Sequence, residues 1–160
     1  MTLQDLLYKV PGLRAVAGPP DAPVSALVID SRRVTPGSLF AALPGTQVDG
    51  HQFIPKALES GASVILCETM PDTLAEGISY VQVENAARAL GFLASTFYGN
   101  PSAKLKLVGV TGTNGKTSTA TLLFRLFRRL GYHVGLLSTV QNQIDETVIP
   151  ATHTTPDPVT

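Results

Sequence analysis

One stretch limits this chain more than any other: Val108-Gly109-Val110-Thr111-Gly112-Thr113-Asn114-Gly115-Lys116-Thr117-Ser118. An apolar run, Leu105 to Val110, leads into it, and a helical pattern from Lys116 to Leu130 leaves it. It therefore reads as strand, glycine-rich turn and helix. Glycines let the backbone curl so that successive N–H groups point inward, and a helix start adds unpaired N–H groups and the positive end of its dipole. That is a nest for phosphate oxygens. Lys116 brings an ammonium to the terminal phosphates, and Thr117 offers a hydroxyl to Mg²⁺. The candidate ATP contacts are Gly112, Thr113, Asn114, Gly115, Lys116, Thr117 and Ser118, with Lys116 as the catalytic cation and Thr117 as the metal ligand. The strict phosphate-loop spacing would put glycine at Val110; here Gly112 carries the turn instead. The bland alternative is a strand–turn–helix junction that merely contains Gly-Lys-Thr. The apolar strand before the loop, the amphipathic helix after it (Leu123, Phe127 and Leu130 on one face) and the two glycines flanking Thr113-Asn114 all count against that.

Strand, helix and a further strand at His133 to Leu137 make a βαβ start, which predicts an α/β domain with a parallel sheet. Such a sheet needs several strands and helices on both faces, and residues 101–160 supply too few, so the second domain is expected to be incomplete. Gly99-Asn100-Pro101-Ser102 combines helix stop, turn and proline, and sets the boundary between a first domain, 1–100, and the beginning of a second, 101–160. In the first, Leu3, Leu6, Leu7 and Val10 predict an amphipathic helix over 2–9, and 16–23 reads as a loop. Strands are predicted over 24–29, 38–43, 64–67 and 80–83. Helices are predicted over 53–59, stopped by Gly61, and over 85–98, capped by Asn85 and buried through Leu90, Leu93, Ala94 and Phe97. The fold class is α/β in both parts.

Composition removes several functional classes. Hydrophobic residues make up 44%, enough for a real core. Lys plus Arg, 12, balance Asp plus Glu, 12, so nothing electrostatic draws the chain to nucleic acid or an anionic membrane. The single cysteine, Cys67, lies in the apolar run 63–67 and reads as a core residue; one cysteine allows neither a disulfide framework nor zinc spacing, which suits a reducing cytosol. The first residues lack a basic-then-apolar leader, and no apolar run approaches the roughly 18 residues of a membrane span. A cytoplasmic protein is expected. Arg125, Arg128 and Arg129 read as a solvated face complementing the helix C-terminus, with a basic patch as the alternative. His51 and His133 read as structural, and Asp49 as a turn cap at least as readily as a catalytic group.

Gly112-Thr113-Asn114-Gly115-Lys116-Thr117 resembles the ATP loop of the Mur ligases, the enzymes that build the peptide of bacterial peptidoglycan. The loop alone would also suit folylpolyglutamate synthetase and cyanophycin synthetase. The N-terminal segment discriminates. Asp30-Ser31-Arg32, then Val34-Thr35-Pro36-Gly37-Ser38-Leu39-Phe40, Gly45, Asp49-Gly50-His51, Phe53, Ala57 and Gly61-Ala62 are similar to the UDP-binding domain of the MurE type. That type adds the third residue of the stem peptide to UDP-N-acetylmuramoyl-L-Ala-D-Glu. Thr152-His153-Thr154-Thr155-Pro156 is similar to the MurE segment that touches the substrate. The MurF type, which adds D-Ala-D-Ala, is the alternative; its first motif usually reads Asp-Thr-Arg.

The resemblance implies a UDP-binding N-terminal domain followed by the start of a phosphate-loop ATPase domain. It implies that Ile29 and Ser31 contact uridine, that Thr46, Gln47 and Val48 hold the nucleotide end, and that His153, Thr154 and Thr155 hold the muramoyl peptide. Ser31 could equally bond its own backbone in a turn. Arg32 and Arg33 could reach the diphosphate, pair with Asp30 or be solvated. The implied partners are UDP-N-acetylmuramoyl-dipeptide, ATP, Mg²⁺ and a free amino acid (diaminopimelate, lysine or ornithine). The implied chemistry is an acyl phosphate on D-Glu attacked by the incoming amine. The second Mg²⁺ ligand, a carbamylated lysine and the amino-acid-binding domain would lie beyond residue 160, so this chain alone is expected to lack ligase activity. Two other readings compete: an unrelated phosphate-loop NTPase or kinase, and a UDP-sugar-binding module whose last third is unstructured.

Overall fold

Alternation with a period of two organises the first part of the molecule. The computed structural model describes residues 1–45, 48–150 and 157–159, and its backbone separates into one unit of residues 1–104 with 159 and another of 105–158. In the first, β2 (Ala26–Val28), β3 (Ser38–Ala41), β4 (Val64–Cys67) and β5 (Ser79–Val83) run parallel, and β1 (Leu13–Ala17) closes the far edge antiparallel to β5. The spatial order is β1-β5-β4-β3-β2. Leu39, Ala41, Val64, Leu66, Val81 and Val83 face one side, where α1 (Leu3–Leu7) and α3 (Ala86–Phe97) cover them through Leu3, Leu6, Leu90 and Leu93. Phe40, Ile65, Cys67 and Tyr80 face the other, under Ile54 and Ala57 of α2 (Ile54–Glu59). Both sides of the central strands are dry, which is why they read as unbroken apolar runs. Each fully buried Leu, Ile or Val contributes about 1.5–3 kcal/mol.

Helix ends follow local chemistry. Thr2 and Asp5 form a reciprocal capping box on α1, and Asn85 Oδ1 accepts from Arg88 N at 2.7 Å to open α3. The expected loop over 16–23 needs correction, because β1 extends to Ala17. β1 is an edge strand exposed along nearly its whole length, so it leaves no alternating signal to read.

The second unit holds α4 (Lys116–Arg129) and an antiparallel meander of β6 (Gly135–Leu137), β7 (Gln141–Ile144) and β8 (Thr147–Pro150). The parallel sheet expected here is not what forms among the described residues. Residues 105–110 form no strand, and Leu105, Leu107 and Val108 are exposed. Parallel pairing needs a neighbour at a distance in sequence, whereas β6, β7 and β8 pair through short turns. The α4 face also differs: Phe124 is buried, with Thr117, Ala120, Thr121 and Arg128 half-buried on its side, while Leu130 is 62% exposed. Arg128 is not merely solvated. It pairs with Glu146 and, at 3.8 Å, with Asp145, whose carboxylate also accepts from Val134 N at 3.0 Å. Among the described residues no helix is long and apolar enough to cross a membrane.

Candidate functional site

The turn before α4 is shaped by two glycines. Gly112 has φ of 144° and Gly115 of 79°, a region that side-chain-bearing residues avoid. Gly115 is the N-cap of α4 and no side chain caps the helix there. Its carbonyl takes the first helical bond, from Thr119 N at 2.9 Å, which leaves the N–H groups of Lys116, Thr117 and Ser118 without partners inside the helix. The Lys116 ammonium donates to the carbonyls of Gly112, 2.6 Å, and Thr113, 3.3 Å, so its charge lies over the loop. Those neutral, exposed acceptors can be exchanged for phosphate oxygens, which bind a cation more strongly. Thr117 is half-buried and its hydroxyl has no hydrogen-bond partner among the described residues.

The first unit gathers its candidate residues at the C-terminal ends of parallel strands, the edge where open α/β sheets take ligands. β2 runs through Ile29 into Asp30 and Ser31; β3, its neighbour, runs into Leu43, Pro44 and Gly45. Ile29 packs against the core. Ser31 is buried and opens a 3-10 turn, but the turn is closed by Asp30, which accepts from Arg32 N at 3.0 Å. No partner for the Ser31 hydroxyl is found among the described residues, so it is not spent on a local turn bond. Arg32 is engaged by Asp30, with Nε at 2.9 Å and a terminal nitrogen at 2.7 Å. That guanidinium holds the Asp30 carboxyl down to about 2, with the Arg32 N–H adding to the effect.

The next loop is pinched at its base by a Pro44–Asp49 bridge and a Gly50 N to Leu43 O bond of 2.9 Å. A Cβ on Gly45 would lie 2.5 Å from the Val48 carbonyl, and one on Gly50 2.6 Å from that of Leu43, so both positions require glycine. Val48 is 51% exposed at the tip. Thr46, Gln47, His153, Thr154 and Thr155 lie outside the described residues. Asp49 acts as a cap, accepting from His51 N at 3.0 Å. Sequence reasoning missed Glu68: its carboxylate accepts from Ala86 N at 2.8 Å and its carbonyl from Gln82 Nε2 at 3.1 Å. An acid placed directly after a buried parallel strand was the available signal.

Known proteins carry the same arrangement of segments. The profile of the Mur ligase family, catalytic domain, matches residues 23–98, and that of the Mur ligase middle domain matches 110–160. The chain belongs to the Mur ligase family. A UDP-N-acetylmuramoyl-L-alanyl-D-glutamate–2,6-diaminopimelate ligase of Bacteroides fragilis is 54% identical over 160 residues, covering 100% of this chain and 33% of that protein. A solved ligase of the same description has a TM-score of 0.68 over 99% of this chain and 31% of its own length, at 24% identity, which speaks for the fold. MurF ligase from Thermotoga maritima, solved in complex with ADP, is 33% identical, covers 65% of this chain and 23% of itself, and has a TM-score of 0.50. The chain spans about a third of the length of the curated relatives it matches. In this Mur ligase chain the glycine nest falls within the middle-domain match, and the Ser31 and Val48 segments fall within the other.

Proposed function

We propose that this chain is the substrate-holding part and the first ATP-binding segment of a ligase that joins 2,6-diaminopimelate to UDP-N-acetylmuramoyl-L-Ala-D-Glu. The observation that supports it most directly is the nest at 112–118: two positive-φ glycines, an uncapped helix start and one ammonium over the loop. Identity of 54% along the whole chain to a diaminopimelate-adding relative favours that substrate over the D-Ala-D-Ala of the MurF type. On this reading residues 1–100 hold the UDP-sugar and 101–160 open the ATP-binding domain.

A carboxylate is a poor electrophile because its leaving group would be oxide. Transfer of the ATP γ-phosphoryl to the D-Glu carboxylate would give an acyl phosphate and release ADP. The diaminopimelate amine attacks that carbonyl, loses its proton, and phosphate departs as the amide forms. The protein's share is placement and charge neutralisation. Main-chain N–H groups of 113–118 would hold the phosphates, and the Lys116 ammonium, which here donates to the loop carbonyls, would neutralise charge on the terminal phosphate. Thr117 would hold Mg²⁺, which supplies further neutralisation; its partnerless hydroxyl fits that use. Ile29, Ser31 and the 45–50 loop hold the uridine end, and His153, Thr154 and Thr155 the muramoyl peptide.

The test is Lys116→Ala in a protein extended to the length of its relatives. Each charge-assisted bond lost, about 1.5–3 kcal/mol, should lower turnover by about 10- to 150-fold. Binding of the UDP-dipeptide, measured by calorimetry, should stay within about twofold of the unchanged protein. Loss of both together would show that the two sites are not separate.

A further inference from the structure

One histidine ties the nucleotide loop to the sheet. His51 lies in the short helical turn Gly50–Phe53, and only 18% of its side chain is exposed. Its Nε2 stands 3.0 Å from Glu68 N and 3.3 Å from Thr69 N, the two backbone donors that follow β4. Its Nδ1 lies 2.6 Å from Asp49 Oδ1. A backbone N–H can only donate and a carboxylate only accept, so the ring must carry its proton on Nδ1 and be neutral. Asp49, held below the usual carboxylate range first by the His51 N–H and then by the ring, is ionised to receive it. The other nearby acid, Glu68, is turned to the start of α3.

The staple therefore joins three elements. Asp49 is bridged to Pro44 across the loop base, His51 fastens Asp49 to the end of β4, and the Glu68 carboxylate fastens that end to α3. The loop it secures presents Val48, whose carbonyl packs against Gly45. We propose that His51 is a positioning residue for the uridine end of the substrate: the neutral imidazole, by accepting two N–H groups beyond β4, fixes where Val48 and Asp49 are held. This rests on the reading of that loop as the nucleotide contact. The ring itself touches no substrate.

Three measurements on the 160-residue chain test it. Imidazole nitrogen NMR should find Nδ1 protonated and Nε2 an unprotonated acceptor; the opposite tautomer would overturn the proposal without reference to any ligand. Calorimetric titration with UDP-N-acetylmuramoyl-L-Ala-D-Glu should show about tenfold weaker binding for His51→Ala, as expected for two lost backbone hydrogen bonds. His51→Gln, whose side-chain oxygen can stand near the Nε2 position, should recover to within about threefold. A urea melt confirms that each variant is folded. Equal binding by His51→Ala and the unchanged chain would overturn this proposal alone, as would a folded His51→Gln no better than alanine. Failure of the unchanged chain to bind the ligand would overturn the uridine reading and this proposal with it.

Discussion

Replacing Gly50 with alanine and Gly91 with alanine makes the same chemical change twice, and the structure gives the two opposite signs. At Gly50 the new Cβ would lie 2.6 Å from the Leu43 carbonyl oxygen, 2.7 Å from Leu43 N and 3.1 Å from the Ala42 carbonyl carbon. All three are backbone atoms, so no side chain can swing aside. The loop base must retreat by most of an ångström, and the Gly50 N to Leu43 O bond of 2.9 Å lies in the same approach. Overpacking of this kind costs about 1–3 kcal/mol. Gly91 lies inside α3 with nothing within 4 Å of its Cβ position and no positive φ. There alanine removes only the entropy penalty of glycine and should gain about 0.5–1 kcal/mol. In a unit of about 100 residues each kcal/mol moves the melting point by about 4–8 °C. The assay is a thermal melt followed by tyrosine emission: the chain has no Trp, and Tyr8, Tyr80 and Tyr98 of its 4 Tyr lie in the first unit. A Gly50→Ala midpoint at or above that of the unchanged chain would refute the loop geometry. A lower midpoint for Gly91→Ala would refute the open outer face of α3.

Two further outcomes follow from titrating groups in the same unit. Burial pushes the Cys67 thiol up to about 11, so alkylation by iodoacetamide at pH 8 should await unfolding in urea. Because the unfolded chain releases that proton first, stability should fall as pH rises from about 9 toward 11, and Cys67→Ser should not show that slope. Asp30 works in the other sense. Its carboxyl is held near 2 by Arg32, so the unfolded chain takes up the proton first and the stabilisation fades as pH falls from about 4 toward 2. Carbon NMR of the carboxyl should give that low midpoint, and Arg32→Ala should return it toward 3.8.

The central strands and the caps were legible in the sequence because each is written in a few adjacent residues. Val64 to Cys67 is apolar on both faces, and Asn85 and Gly61 mark helix ends by their own chemistry. The β1 edge was not legible, since Leu13 to Ala17 pairs along one side and buries little. At the candidate site, Ser31 and the 45–50 loop could be named from a family pattern. That they leave the ends of adjacent strands, or that the Ser31 hydroxyl has no partner among the described residues, is a property of β2–β3 register which no local pattern encodes. His51 shows the same limit: its ring partners, Glu68 N and Thr69 N, are 17 and 18 residues away. A histidine in a polar loop gives no sign of which nitrogen is spoken for.

The strand–turn–helix that begins the second unit separates local from distant encoding most clearly. Leu105 to Val110 has the apolar character of a buried parallel strand, yet pairing would need a partner far along the chain, and the segment is exposed. The nest directly after it is formed all the same. A φ of 144° at Gly112 and 79° at Gly115 needs no neighbouring strand, only the absence of Cβ, and the first turn of α4 needs only its own backbone. The backbone turn of this loop is therefore set locally, without a neighbouring strand. Leu107 and Val108 stay exposed, while the first turn of α4 already leaves the N–H groups of Lys116, Thr117 and Ser118 without partners inside the helix.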